Sequence, residues 1–222
     1  MRHGRRLNFI TLIEVPDSPR WRRIAAWSKC IVITREAIVD AALERAEQTS
    51  WEATRLHDVA GSLGATLNDV RAQFREKEEI ADAWFDRADA AMLDRATAVG
   101  NDLPSAERLE QVIMAWFDAL APHRRVTRQM IWHKFEPGHL HYQLGGLLRV
   151  SRTVQWIREA AGRDAPLPWR AFEETALTGV YLATFLYWMY DDSQGSLRTR
   201  AFLRHRLEGL QRFARLVPRT SA

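Results

Sequence analysis

Cysteine is nearly missing from this chain. Its 222 residues contain one, Cys30. No internal disulfide and no paired-thiol metal or redox site can be built from a single thiol, which fits a reducing cytoplasm. Cys30 reads as an incidental thiol in an N-terminal tail. Lysine is almost as scarce: of 32 basic residues only Lys29, Lys77 and Lys134 are lysine. The positive charge is therefore carried by arginine, which stays protonated and grips phosphate with a two-pronged fork. Glycine and proline are few, 11 and 8, and no alternating strand pattern appears. The expected class is all-α.

Membrane-length apolar runs are also lacking. Leu7 to Val15 carries Asn8, Thr11 and Glu14 and stops at Pro16, too short for a bilayer. No small-residue cleavage pattern follows it, so a secretory leader is not expected. Ala176 to Tyr190 is uncharged for fifteen residues, bounded by Glu173-Glu174 and Asp191-Asp192. That is still below the roughly 20 residues of a spanning helix. Enzyme chemistry has little footing. Gly61-Ser62-Leu63-Gly64 lacks the spacing of a phosphate loop, and Gly145-Gly146 lies in a helical run. His133, Glu136, His139 and His141 are split by Pro137-Gly138 and do not share a helix face, so neither a metal nor a cofactor is expected.

What is present begins at Thr34. Thr34 suits an N-cap, with Glu36 in the first turn, and Ile38, Ala41, Ala42 and Ala46 then recur at helical spacing. Thr54 is expected to cap a short second helix carrying Leu56, Val59, Ala60 and Leu63, which Gly64 ends. Thr66 starts a third helix, with Asp69 placed as in a capping box and Val70 and Phe74 facing inward. Two short helices joined by a glycine turn make a helix-turn-helix. The charge is uneven. Residues 34–80 hold six basic residues against ten acids, a net −4, although the whole chain is +4. The acids either lie on faces turned away from DNA, with Asp69 serving as a cap, or the head no longer binds DNA. Residues 1–33 carry seven basic residues and two acids. Arg20, Arg22 and Arg23 surround Trp21, as in a basic arm or a poorly ordered leader.

The head resembles the N-terminal domain of TetR-family transcriptional regulators. Leu56-His57-Asp58-Val59-Ala60 stands at the family's second helix, Gly64-Ala65-Thr66 at its turn, and Phe74 to Ile80 matches the trailing motif with Lys77. The resemblance implies that Thr54, Arg55, Thr66, Leu67, Asn68, Arg71 and Gln73 face DNA and that Lys77 touches phosphate. Arg71 stands where the family usually has tyrosine. The resemblance also implies domains at 34–80 for DNA and at 81–222 for ligand binding and dimerisation, after an N-terminal extension of residues 1–33.

Beyond the head, six more helices are expected: Glu76 to about Val99, one capped by Ser105, one begun by Pro122, then His139–Ala161, Trp169–Tyr190 and Ser196–Leu216. Nine helices in this order again match the family. Trp84, Trp116, Phe117, Met130, Trp132, Trp156, Tyr181 and Phe185 could line a cavity for a hydrophobic or aromatic ligand, or simply form core. An all-round apolar helix from Ala176 to Tyr190 is expected to be buried. In the family the last two helices pair with those of a second subunit, which here implies Gly179, Ala183, Trp188, Phe202, Leu203, Leu207 and Leu210 at a two-fold homodimer interface.

The C-terminal half is also similar to the ubiquinone-biosynthesis accessory proteins, on Trp156 to Gly162, Ala176 to Asp192, and Arg200-Ala201-Phe202-Leu203 with Arg206. Those have a TetR-like fold, bind lipid and lay a terminal amphipathic helix on membranes. The expected function is a ligand-responsive DNA-binding dimer in the cytoplasm, a repressor on a palindromic site and not an enzyme. The alternative is a lipid- or isoprenoid-binding accessory protein with peripheral membrane contact and no DNA.

Overall fold

The computed structural model describes residues 33–100, 103–134, 140–163 and 169–216. The arginine-rich stretch around Trp21 lies outside the described residues, as do Glu136 and His139. Among the described residues there are nine α-helices and no strand. They are α1 (Arg35–Gln48), α2 (Leu56–Ser62), α3 (Leu67–Gln73), α4 (Lys77–Val99), α5 (Ser105–Leu120), α6 (Arg124–Lys134), α7 (Leu140–Ala160), α8 (Trp169–Trp188) and α9 (Leu197–Leu216). Short 3-10 turns, Ala121–His123 and Gln194–Ser196, precede α6 and α9.

The helix ends follow local chemistry. Thr34 caps α1 by accepting the Ala37 N–H at 3.1 Å. At the end of α2, Gly64 takes φ +62°. The Ala65 N–H then returns to the Ala60 carbonyl at 2.9 Å and the Gly64 N–H to Gly61 at 3.1 Å. This paired closure satisfies carbonyls the helix leaves open, and a residue with a Cβ would be strained in that conformation. Two expected caps are not caps. Thr54 is buried in the turn before α2, its hydroxyl donating to the Ser50 carbonyl at 2.8 Å, and Arg55 holds the N-cap position without a side-chain cap. Ser105 is the first residue of α5, and its hydroxyl accepts from Arg163 at 2.8 Å.

The core runs unbroken from head to bundle. Ile38, Leu43, Trp51, Val59, Val70 and Phe74 close the head. Trp84, Phe85, Ala88 and Met92 of α4 pack on Ile113, Trp116, Phe117 and Leu120 of α5. Trp116, Phe117, Tyr181, Phe185 and Trp188 form one ring cluster with centroid spacings from 5.3 to 6.2 Å. Edge-on and stacked pairs at this spacing add to plain area burial.

The helix expected to be apolar all round is buried on one side only. Leu177, Tyr181, Thr184, Phe185 and Trp188 of α8 face the subunit core. Leu182, Leu186, Tyr187 and Tyr190 remain exposed. Both sets follow the three-and-four spacing of a helix stripe.

Candidate nucleic-acid interface

α3 is a single short helix, so its placement depends on its ends. Thr66 and Asp69 form a reciprocal capping box. The Thr66 hydroxyl accepts the Asp69 N–H at 3.3 Å and donates to the Asp69 carboxylate at 2.7 Å, while the Thr66 N–H reaches the same carboxylate at 2.8 Å. The Thr66 hydroxyl and then its backbone N–H hold the Asp69 carboxyl below its usual range. Val70 and Phe74 anchor the helix inward. At its far end the Arg35 guanidinium donates to the Gln73 carbonyl and lies 4.0 Å over the Phe74 ring. The helix is thus pinned at both ends, and Leu67, Asn68, Arg71 and Ala72 are turned to solvent.

The expected contact residues divide by what else holds them. Arg55, Leu67, Asn68 and Arg71 are exposed, and Gln73 is half-buried. Thr54 is buried and bonded within its turn, so its side chain is not presented outward. Thr66 is exposed but its hydroxyl proton goes to Asp69. Lys77 is committed inside the head. Its ammonium donates to the carbonyls of Trp51 and Glu52, the latter at 3.2 Å, and lies 4.8 Å over the Trp51 ring. Burial pushes its pKa down. Arg75, which the sequence reading left out, is exposed just past α3. Its only signal was its place inside the Phe74–Ile80 motif.

Several acids of the head are engaged within the protein. Asp40 pairs with Arg87 of α4. Glu47 pairs with Arg125 at 3.0 Å and with His123 at 3.3 Å. Asp58 meets Arg45 at 3.6 Å, and Glu79 accepts the Arg75 N–H at 2.7 Å. Asp69 is the only acid on α3 and is tied into the capping box. The net −4 therefore gives no negative contact surface on this helix.

α6 joins the head to the far corner of the bundle. Arg125 donates to the Ala46 carbonyl at 3.0 Å, to the Glu47 carbonyl, and to the Glu47 carboxylate at 3.1 Å. It thereby satisfies the open C-terminal carbonyls of α1. The Gln129 side-chain carbonyl accepts the Trp51 N–H at 2.7 Å. One residue earlier in each case, Arg124 donates to Ser196 at 2.7 Å and lies 4.8 Å over Trp188, and Arg128 lies 5.2 Å from the Tyr190 ring. The sequence shows only two i, i+4 polar pairs here; their partners are far away along the chain.

The residues expected to line a ligand cavity do not form one group. Trp84, Trp116, Phe117, Met130, Tyr181 and Phe185 are buried and packed as core, whereas Trp132 and Trp156 are about half exposed, at 52% and 45%. One polar group sits among the rings. Asp89 of α4 accepts from Trp116 at 2.7 Å, and from Arg149 and Thr153 of α7 at 3.2 Å each. Burial raises its pKa, against the opposing pull of these three partners.

The expected interface residues also divide. Trp188, Leu203 and Leu207 face the interior of their own subunit, with 0%, 0% and 3% of their surface exposed. Gly179 is exposed, and Ala183, Phe202 and Leu210 are partly exposed. Phe202 stacks on Tyr187 at 4.7 Å. Together with Leu182, Leu186 and Tyr190 they leave an apolar surface on α8 and α9. The carboxylate of Asp191 holds the corner below it, accepting from the Ser193 N–H, the Thr199 N–H and the Thr199 hydroxyl at 2.9, 2.9 and 2.6 Å.

Comparison with known proteins supplies the relatives of this arrangement. A TetR transcriptional regulator from Nitrosomonas europaea shares 52% identity over 79% of this chain and 96% of its own, with a TM-score of 0.72. A TetR transcriptional regulator from Rhodococcus sp. RHA1 shares the fold at 17% identity, over 79% of this chain and 94% of its own, with a TM-score of 0.59. The COQ9 family matches residues 174–214, which span most of α8 and α9. No curated protein matches the chain.

Proposed function

This chain belongs to the TetR family of transcriptional regulators, and on that premise we propose that it works as a two-fold dimer, a cytoplasmic repressor that places α3 of each subunit into successive major grooves of a palindromic site. The observation that carries this reading is α3 itself. It is pinned at both ends, it presents Leu67, Asn68 and Arg71, and it keeps its one acid inside a capping box. Arg55 and Arg75, both exposed, supply positive charge for backbone binding. Subunit pairing uses the apolar surface of Leu182, Leu186, Tyr187, Tyr190 and Phe202, where Gly179 has open space above it and admits a close helix approach.

The proposed regulation is a population shift. A hydrophobic ligand lodges among the rings of α4, α5 and α8, displaces part of their packing, and moves α4 with the head attached to it. A coupling of roughly 1–3 kcal/mol is sufficient for such a response. No catalytic role is assigned to any residue.

The COQ9 likeness of α8 and α9 favours a second reading, a lipid-binding accessory protein. One observation weighs against its membrane contact. Arg204 grips Glu110 at 2.7 and 3.0 Å and Arg200 pairs with Asp118, so this part of the basic side of α9 is turned onto α5. Selection of sheared genomic DNA by the purified full-length protein, with Arg71→Ala as control, tests the regulator reading. An enriched palindrome lost in the variant is expected. Diffuse, salt-labile binding shared by both proteins would reject it in favour of the lipid reading.

A further inference from the structure

Specific DNA contacts are of two kinds: phosphate contacts that position, and base contacts that specify. The structure separates the side chains of α3 by what they are free to do. Thr66 has given its hydroxyl proton to Asp69, and Asp69 is held by the same box. Leu67, Asn68 and Arg71 have no such commitment, and Leu67 is 52% exposed although it is the most apolar residue on the outer side of the helix. A leucine has no chemistry for phosphate. Its place beside an asparagine, and one turn from an arginine, suits a base edge.

We propose that these three side chains read a short run of consecutive base pairs, each through a different chemistry. Asn68 takes an A·T pair, its amide spanning N6 and N7 of adenine. Arg71 takes a neighbouring G·C pair, its fork spanning O6 and N7 of guanine. Leu67 packs on a thymine methyl next to them. These are the major-groove edges that an amide, a guanidinium and an alkyl group match. The spacing agrees. Residues three apart on a helix are separated by about 4.5 Å along its axis, close to the roughly 3.4 Å between base pairs. Positions 67 and 71 share one stripe and positions 68 and 71 the adjacent one. Each half-site would thus contain a guanine beside an A·T pair, flanked by a further thymine. This inference rests on the regulator reading above and adds the base that each residue recognises.

The test uses the full-length protein and a synthetic duplex of the enriched site, with single atoms removed from the bases. Replacing guanine by 7-deazaguanine at one position of each half-site should weaken wild-type binding about tenfold or more. The Arg71→Ala variant should be indifferent to that change. Adenine to 7-deazaadenine should act in the same way for Asn68→Ala, and thymine to uracil, with a smaller effect of about threefold, for Leu67→Ala. The loss on each analogue is read first in the wild type, and that readout does not depend on how the variants fold. If the wild type ignores every analogue while Arg71→Ala weakens all sequences equally, the side chains hold backbone and this assignment is overturned, although DNA binding stands. If no site is enriched at all, both this assignment and the regulator reading fall.

Discussion

The arginines of this protein meet opposite fates in two places, around α3 and on α9. On and beside α3, Arg71 and Arg75 are exposed, and Asp69, the one acid of α3, is tied into the capping box. On α9, Arg200 and Arg204 are fastened to Asp118 and Glu110 of α5, and Arg206 lies 4.8 Å over Phe202. The difference lies in which acids the fold brings near. Arg200 and Arg204 share their forks with carboxylates of their own subunit, whereas Arg71 is exposed on α3. Basic composition alone does not locate a nucleic-acid surface; the internal pairing does.

That contrast can be broken at several points. The largest effect should come from the apolar side that α8 leaves open beside α9. Leu186→Glu puts a charge where subunits would pack, at a cost of several kcal/mol. Sedimentation should show monomers and DNA retention should collapse; an unchanged dimer would mean that the subunits pair elsewhere. Next is the direct comparison of arginines. Arg71→Ala should reduce affinity for the enriched site by about 1–3 kcal/mol in a fluorescence titration, and Arg204→Ala should leave it unchanged. Equal losses would erase the distinction drawn here.

A smaller effect concerns the corner that orients α9. Burial alone would raise the Asp191 carboxyl, but hydrogen bonds from Ser193 and Thr199 outweigh it and hold the group far below the usual range. Its stabilising contribution is therefore present above the unfolded carboxyl pKa of about 3.9 and is lost as the pH falls toward the folded value. Asp191→Ala should cost about 1–2 kcal/mol at neutral pH in urea denaturation, and the gap from the wild type should narrow below about pH 4. A gap independent of pH would show that the carboxylate is not the stabilising form. Smallest of all should be Arg204→Ala in thermal unfolding. An ion pair this exposed to solvent should move the midpoint barely beyond detection.

Much of this was legible in the sequence, for identifiable reasons. The order of the helices, the caps at Thr34 and Thr66 and the turn at Gly64 are local events, set by side chains within a few residues of the backbone they satisfy. The site was legible in part. Leu67, Asn68 and Arg71 could be placed because the capping box fixes the helix start and so the outward side. Thr54 and Lys77 could not. Their fate is decided by the turn at residues 50–54, whose open carbonyls attract Lys77 from 26 residues away. Which side of α8 turns inward was not legible, for a different reason. From Ala176 to Tyr190 no charge marks a polar side, so the pattern fits any rotation of the helix, and Trp188 could be assigned outward when the ring cluster draws it in. The tryptophans at 132 and 156 show the converse, since large aromatic side chains can remain on a surface.

α6 spans 11 residues, about 16 Å of rod. Arg125 and Gln129 are bolted to the end of α1 and the turn that follows it, while Arg124 and Arg128 are bolted to the corner where the proposed pairing helices meet. A helix gripped on two sides of its first half couples the two regions in either direction. If subunit pairing orients the heads for DNA, then DNA must in return tighten the pairing by the same factor, because the two equilibria close a thermodynamic cycle. The DNA site would then act as an assembly factor for its own regulator: at concentrations where the free protein is largely monomeric, the site itself would gather the second subunit, and occupancy would rise with the square of protein concentration rather than linearly.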